Sequence, residues 1–384
     1  MITSKILFKN FKNKKKTQDI KKILQNFIEK NDQVFQSLGK NYRDNFKKKN
    51  LKFFKNYKDI KVIGIGGSSF GTKAIYSFLK YKIKKNFTFI DNLSPKKKID
   101  KKKKYLNIIV SKSGNTIETI INANVHINKK DQNIFITENK KNYLHDLGQK
   151  LKAEIIHHNN FIGGRYSVLS ETGMLPAELM GLESNKFRQF NNLIKNKKYL
   201  NALISSASAS VNLIKKKKFN SVIINYDESS ADLFYWYQQL VAESLGKNRS
   251  GILPIISNMP KDNHSVMQLY LDGFKNNFFT LFYVHEKKCT KILSKNILTS
   301  HNFISKKDIG DITFAQKKAT ERVFNLRNIP YRSFEIKKKD EKTLGELFSF
   351  FILETILIGK ALKIDPYNQP AVELIKKETK KILI

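Results

Sequence analysis

A rhythm of short apolar runs between residues 61 and 137 constrains this chain more than any other feature. KVIGIGG begins at residue 61, FTFID at 87, NIIV at 107 and NIFIT at 133, with helical-looking stretches between most of them. Runs this short read as strands, and strands alternating with helices predict a mostly parallel sheet covered on both faces. A second series follows, with SVIINY at 221, GILPII at 251 and FFTLFYV at 278. The polar helical stretch NKFRQFNNLIKNKKYLNALISSASASVNLIKKKK separates the two. The first fifty residues place Ile20, Ile23, Leu24, Phe27 and Ile28 at helical spacing among lysines. The expected fold class is therefore α/β: an N-terminal helical segment over 1–50, then two similar domains over 51–195 and 196–384.

Composition narrows what such a fold could do. A length of 384 residues suffices for a real core, and 28 Phe with 15 Tyr argue against general disorder despite a net charge of +39. Cys289 has no partner for an internal disulfide, which fits a reducing compartment. The apolar stretch LFSFFILETILIG from Leu347 is interrupted by Glu354, so it reads as a buried helix and not as a membrane span. The N-terminus has no apolar run long enough for a secretory signal, and the expectation is a cytoplasmic protein without a membrane partner. Lysine runs at Lys14–Lys16, Lys47–Lys49, Lys96–Lys98, Lys101–Lys104 and Lys215–Lys218 invite a nucleic-acid reading. Against it, the basic residues are 65 Lys and only seven Arg, whereas base and phosphate recognition favours Arg forks. A solvated basic surface that gathers small anions is the preferred reading, with no nucleic-acid partner.

In open parallel sheets, ligands bind beyond the carboxyl ends of strands. Two loops in the first series occupy that position. GIGGSSFGT matches neither a dinucleotide fingerprint nor a P-loop: Ser69 stands where the third glycine belongs, and Gly71, Thr72 and Lys73 come in the wrong order for the latter. Asp91 could still mimic the ribose-binding acid of the former. What the loop offers is close backbone approach at Gly66 and Gly67, with Ser68 able to donate to a ligand oxygen. The second loop, SKSGNTIET from Ser111, supplies hydroxyls from Ser111, Ser113 and Thr116 and a point charge from Lys112. Asn115 with Glu118 three residues on predicts a helix N-cap that aims free N–H groups at a compact dianion such as a phosphate monoester.

Further along, Arg165 in GGRYS follows two glycines that let a guanidinium come close to a ligand. Gln239 and Glu243 lie four apart on one helix face, where a partly desolvated carboxylate suits a general base. His264 lies in a polar loop and can exchange protons near neutral pH.

Taken in order, GIGGS, SKSGNTIET, GGRYSVLSETGMLPAEL, QQLVAESLGK, DNHSVMQLYLDG and NQPAVELIK resemble the signatures of the glucose-6-phosphate isomerase family, built from two sugar-isomerase domains. The resemblance runs from about residue 60 to the C-terminus. It implies interconversion of glucose 6-phosphate and fructose 6-phosphate through a cis-enediol, with Glu243 moving the proton between C1 and C2 and Arg165 stabilising the intermediate's charge. His264 and Lys376 would open the ring. Gln239 and Gln369 would bind sugar hydroxyls, Gly67 and Ser68 would line the sugar site, and Ser111, Lys112, Ser113 and Thr116 would hold the phosphate. No metal or redox cofactor is implied. A homodimer is, with His264 reaching the active site from the partner subunit. Three features depart from the family pattern: SKSGNT stands where SKT, a bulky residue and two threonines are usual, Ile375 replaces the glycine before Lys376 and Lys377, and the chain is short. The first keeps open a dual isomerase that also takes mannose 6-phosphate, and a non-catalytic sugar-phosphate-binding protein is the alternative of another class.

Overall fold

The computed structural model describes residues 1–12, 18–30, 33–95 and 103–384. Lys14–Lys16, Lys96–Lys98 and Lys101–Lys102 of the lysine runs lie outside the described residues. Along the chain the strands are β1 (Ile6–Lys9), β2 (Asp59–Ile63), β3 (Asn86–Ile90), β4 (Leu106–Val110), β5 (Gln132–Glu138), β6 (Glu154–His158), β7 (Asn220–Asn225), β8 (Leu253–Asn258), β9 (Asn277–Val284) and β10 (Tyr331–Ile336).

They form two sheets. One is wholly parallel in the order β3-β2-β4-β5-β6, and the other runs β1-β10-β9-β7-β8, parallel except at its β1 edge. The central strands β4 and β9 are buried at every residue, as a strand covered by helices on both faces must be. In each sheet the first parallel strand sits inside, so strand order reverses between β2 and β4 and again between β7 and β9. Such reversals leave a crevice at the carboxyl ends of the strands concerned.

Expectation and structure differ in two places. The segment 1–50 holds the helix Gln18–Lys30 but also β1, which pairs antiparallel with β10. Phe8 turns inward there, its ring 4.7 Å from that of Phe334, so a four-residue run with one inward aromatic finds its place by closing a sheet edge. β6 and β10 are not among the apolar runs: EIIHH and YRSFEI carry polar residues that tertiary contacts satisfy, Arg332 pairing inside the core with Glu354. The stretch between the series is helical, as expected. It includes the helix Lys197–Lys215, which buries Ser206, Ser208 and Ser210 beside Leu203, Ala207 and Val211.

The segment around Leu347 lies in the helix Glu341–Ala361, buried over nearly its whole length and capped by Asp340, whose carboxylate accepts from the Thr343 amide at 2.9 Å. Among the described residues no helix is long and apolar enough to cross a membrane. This helix packs on Lys197–Lys215 and on Ala231–Leu245, where Phe348 meets Trp236 edge-on with ring centroids 4.7 Å apart. Such a pair contributes roughly 0.5–1.5 kcal/mol beyond its buried area. Ala231–Leu245 also packs on Phe70–Phe78. Each of these two helices follows the first parallel strand of its own sheet, so their contact joins the sheets and brings both crevices toward one cleft.

Candidate active site

The turn after β2, the 3-10 turn Gly164–Leu169 after β6 and the helix Ala231–Leu245 converge. Their approach depends on missing side chains. Gly66 has φ of +59°, and a Cβ there would lie 2.8 Å from Gln239 Nε2. A Cβ on Gly67 would lie 2.2 Å from the carbonyl carbon of Gly164, a backbone-to-backbone contact that no rotamer change relieves.

Arg165 comes from this junction with a side chain only 1% exposed. Its Nε donates to Ser244 Oγ at 2.8 Å, Nη1 to Glu243 Oε2 at 3.2 Å and to Gln369 Oε1 at 2.6 Å, and Nη2 to the carbonyls of Pro366 and Asn368 at 2.6 and 3.2 Å. A guanidinium has five N–H groups, and these five acceptors engage all of them. That is what holds a buried cation in place, because an unpaired one would forfeit its hydration with nothing in return. Tyr166 adds its hydroxyl to the Pro366 carbonyl at 2.8 Å, and its own ring lies 5.1 Å from the guanidinium carbon.

Glu243 shares its helix face with Gln239, whose amide donates to Glu243 Oε1 at 2.9 Å. One carboxylate oxygen is thus held by an amide and the other by Arg165. The side chain is still 29% exposed, toward a cavity of about 780 Å³ that Lys247, Arg249, Asn368 and Gln369 also line. Burial pushes the Lys247 ammonium down to about 8, with Arg165 repelling it and Asp365 and Glu243 opposing the shift.

The hydroxyl-rich loop lies beside this cluster. A Cβ on Gly64 would sit 2.7 Å from the Val110 carbonyl and 3.0 Å from Ser68 Cβ, so the turn after β2 packs against the end of β4, where the hydroxyl loop begins. Ser111 and Thr116 share a hydrogen bond of 2.9 Å between hydroxyls, and Ser113 Oγ accepts from the Asn115 amide at 3.3 Å. Lys112 donates to the carbonyl of Asn160, in the loop leading to Arg165, and stands 3.8 Å from Glu138. Burial pulls the Lys112 ammonium below its ordinary value while Glu138 pulls it back up.

The cap after β4 differs from the expected one. Thr116, not Asn115, is the N-cap of the helix Ile117–His126, and its side chain makes no cap bond to the first turn, nor does any other side chain among the described residues. Asn115 instead accepts from the Tyr143 amide at 3.1 Å, a register allowed by the sharp bend at Gly114, whose φ is +66°. The first-turn N–H groups therefore stay open to an anion. Asp91 is likewise not free for a ribose: it pairs with Lys73 at 3.3 Å.

His264 and Lys376 stand apart from this cluster. His264 ends the exposed 3-10 turn Lys261–His264 after β8. Lys376 is exposed on the helix Pro370–Leu383, paired with Glu373 at 2.7 Å. Among the described residues no hydrogen bond or ion pair joins either to Arg165 or Glu243. Sequence reasoning did not find Ser244, the Tyr166 hydroxyl or the strap of carbonyls at 365–368. Ser244 could have been suspected, as the residue after Glu243; backbone acceptors leave no mark in a sequence.

Two doubly wound sheets joined at a cleft, with a hydroxyl-rich loop beside an Arg–Glu pair, define a protein of the sugar-isomerase-domain type. Residues 9–384 match the family model for phosphoglucose isomerase, and the chain belongs to that family. It is 32% identical over 362 residues to the glucose-6-phosphate isomerase of Methanocaldococcus jannaschii, covering 88% of each. In fold it is similar to a hypothetical protein of Thermus thermophilus, with TM-score 0.82 and 22% identity over 95% of this chain and 94% of that one. It is similar also to a glucose-6-phosphate isomerase of Chlamydia trachomatis, with TM-score 0.68 and 18% identity over 88% and 72%. At these identities the structural likeness speaks for the fold alone.

Proposed function

We propose that the chain interconverts glucose 6-phosphate and fructose 6-phosphate, an aldose–ketose isomerisation. Family membership across nearly the whole chain supports the reaction and disfavours a merely binding protein. The observation that carries the site is the carboxylate of Glu243, held between Gln239 and the buried Arg165 and open to the cavity on its remaining edge.

In this reading the phosphate rests on Ser111, Lys112, Ser113, Thr116 and the open first turn of Ile117–His126, while Gly67 and Ser68 line the sugar. Glu243 takes the proton from C2 of the open-chain aldose as electrons move to C1=C2 and O1 gains a proton, giving the cis-enediol. Returning the same proton to C1 while O2 loses its own completes the ketose. A fixed base of this kind contributes roughly 10² to 10⁴ in rate. Arg165 stabilises the charge that develops on the sugar oxygens. Because its N–H groups are all engaged, an oxygen reaches Nη1 only by displacing an acceptor, and Gln369, exposed at the start of the terminal helix, is the one best placed to let go and take up a sugar hydroxyl.

His264 and Lys376 open the ring, with His264 of the partner subunit completing the site of a homodimer. Support comes from the terminal helix, which buries none of its residues although it carries Val372, Leu374, Ile375, Ile382 and Leu383. An amphipathic helix that none of the described residues buries suits a second copy. Residues 51–195 and 196–384 are assigned to two sugar-isomerase domains of a cytoplasmic enzyme.

A coupled assay of fructose 6-phosphate conversion tests the reading. Wild type should turn over, and Glu243→Gln should lower kcat by about 10²-fold or more, with KM little changed. Full activity in the variant would remove Glu243 as the base, and an inactive, well-folded wild-type dimer would sink the isomerase reading itself.

A further inference from the structure

Lys247 lies one turn beyond Glu243 and takes no part in the reaction as derived above. Its ammonium donates to the Ser244 carbonyl at 2.9 Å and to the Asp365 carbonyl at 2.6 Å. It thereby ties the end of the helix that carries Glu243 to the start of the 365–369 strap. The next carbonyls of that strap, at Pro366 and Asn368, are the ones that receive Arg165 Nη2, and Gln369 follows directly. Ser244, whose carbonyl Lys247 holds, offers its hydroxyl oxygen to Arg165 Nε. Elsewhere the strap is fastened to this site by the Tyr166 hydroxyl on Pro366 and by Tyr367 packed edge-on against Tyr166, with ring centroids 5.9 Å apart. Lys247 emerges from a constrained turn: Asn248 and Arg249 are both left-handed, with φ of 53° and 57°, and the turn is closed by reciprocal hydrogen bonds between Lys247 and Ser250 of 3.0 and 2.9 Å.

We propose that Lys247 is a positioning residue for the isomerisation, fixing the 365–369 strap against the Glu243 helix so that Arg165 and Gln369 meet the substrate oxygens in register. The inference rests on the site reading given above. Without the lysine, two carbonyls lose their shared donor. Among the described residues, the hydrogen bonds that still join the strap to the Glu243 helix run through Arg165, the group whose aim matters, and through the Tyr166 hydroxyl between Pro366 and Ser244. Loss of charge alone does not undo the clasp, since a neutral amine keeps two N–H donors for the same two carbonyls.

The test compares wild type, Lys247→Met and Lys247→Ala in the fructose 6-phosphate assay. Misplacing a catalytic group by about 1 Å can lower a rate on the order of 100-fold. Lys247→Met should lose roughly 10- to 100-fold in kcat, with KM within about threefold and an unchanged melting midpoint. Lys247→Ala should recover kcat saturably as n-propylamine is added, which a general loss of stability would not do. A kcat for Lys247→Met within about twofold of wild type, or no rescue of Lys247→Ala by the amine, overturns the proposal, because a positioning role requires the larger loss. Either outcome leaves the site reading standing as long as wild type turns over and Glu243→Gln does not; an inactive wild type sinks that reading instead.

Discussion

Arg165 shows how one side chain can be fixed by its surroundings before any substrate arrives. Two glycines bring it in, and a hydroxyl, a carboxylate, a carboxamide and two carbonyls receive it. Lysine cannot replace it, because an ammonium has three donors on a single atom and cannot span acceptors on three sides. Arg165→Lys should therefore lower kcat about 10²- to 10³-fold, the range for losing one preorganised donor to a developing oxyanion. A loss under about fivefold in steady-state assays, well below that range, would show that the guanidinium fork is not what the reaction uses. At this scale much of the site was legible: the GGR triplet and the four-residue spacing of Gln239 and Glu243 point to groups that do meet. The backbone acceptors around Arg165 were not, because carbonyls at 366 and 368 belong to every residue alike and only folding chooses which of them face inward.

Among the elements, the turn after β2 carries the tightest constraint. Gly67 presses on the Gly164 backbone, and both neighbours of that contact belong to the proposed site: one leads to Ser68, the other to Arg165. A methyl group at Gly67 has to push two backbones apart. Overpacking of this kind costs about 1–3 kcal/mol, and for a chain this large each kcal/mol lowers Tm by roughly 2–4 °C. Gly67→Ala should thus melt several degrees lower and also lose most of its turnover, since the displaced turn carries Arg165. Calorimetry beside the kinetic assay checks it, and an unchanged Tm with full rate would contradict the packing argument. The sequence pattern identified the seven strands with strong apolar runs but passed over β1, β6 and β10. Those three are short or alternate with polar residues, and their stability comes from edge pairing and buried partners such as Glu354, which local pattern does not encode.

For the whole molecule, the question is whether one protomer suffices. His264 and Lys376 lie on exposed segments with no hydrogen bond or ion pair to Glu243 among the described residues, and the terminal helix leaves its apolar residues uncovered. If His264 of the partner subunit completes each site, mixing His264→Ala with Glu243→Gln subunits through mild dissociation should restore activity. Each mixed dimer would then contain one site with an intact Glu243 and an intact partner histidine. The expected yield at equal mixing is about a quarter of wild-type activity, because roughly half the dimers are mixed and each holds one whole site. No recovery in a mixture shown to exchange subunits would mean that each protomer keeps its own histidine. The net charge of +39 belongs to this scale as well, since a strongly positive surface raises the local concentration of small anions.

By itself the sequence determined the alternation of strands and helices, and so the α/β class. It also placed the hydroxyl-rich loop at a strand end and Glu243 on a helix face, because periodicity, glycine and hydroxyl chemistry act over a few neighbouring residues. Only the tertiary structure decided which loops share a cleft, which of two residues caps the helix after β4, and how Arg165 is clasped by a strap about 200 residues away in the chain. Those depend on contacts between elements distant in the chain, where backbone groups common to all residues acquire roles through position alone.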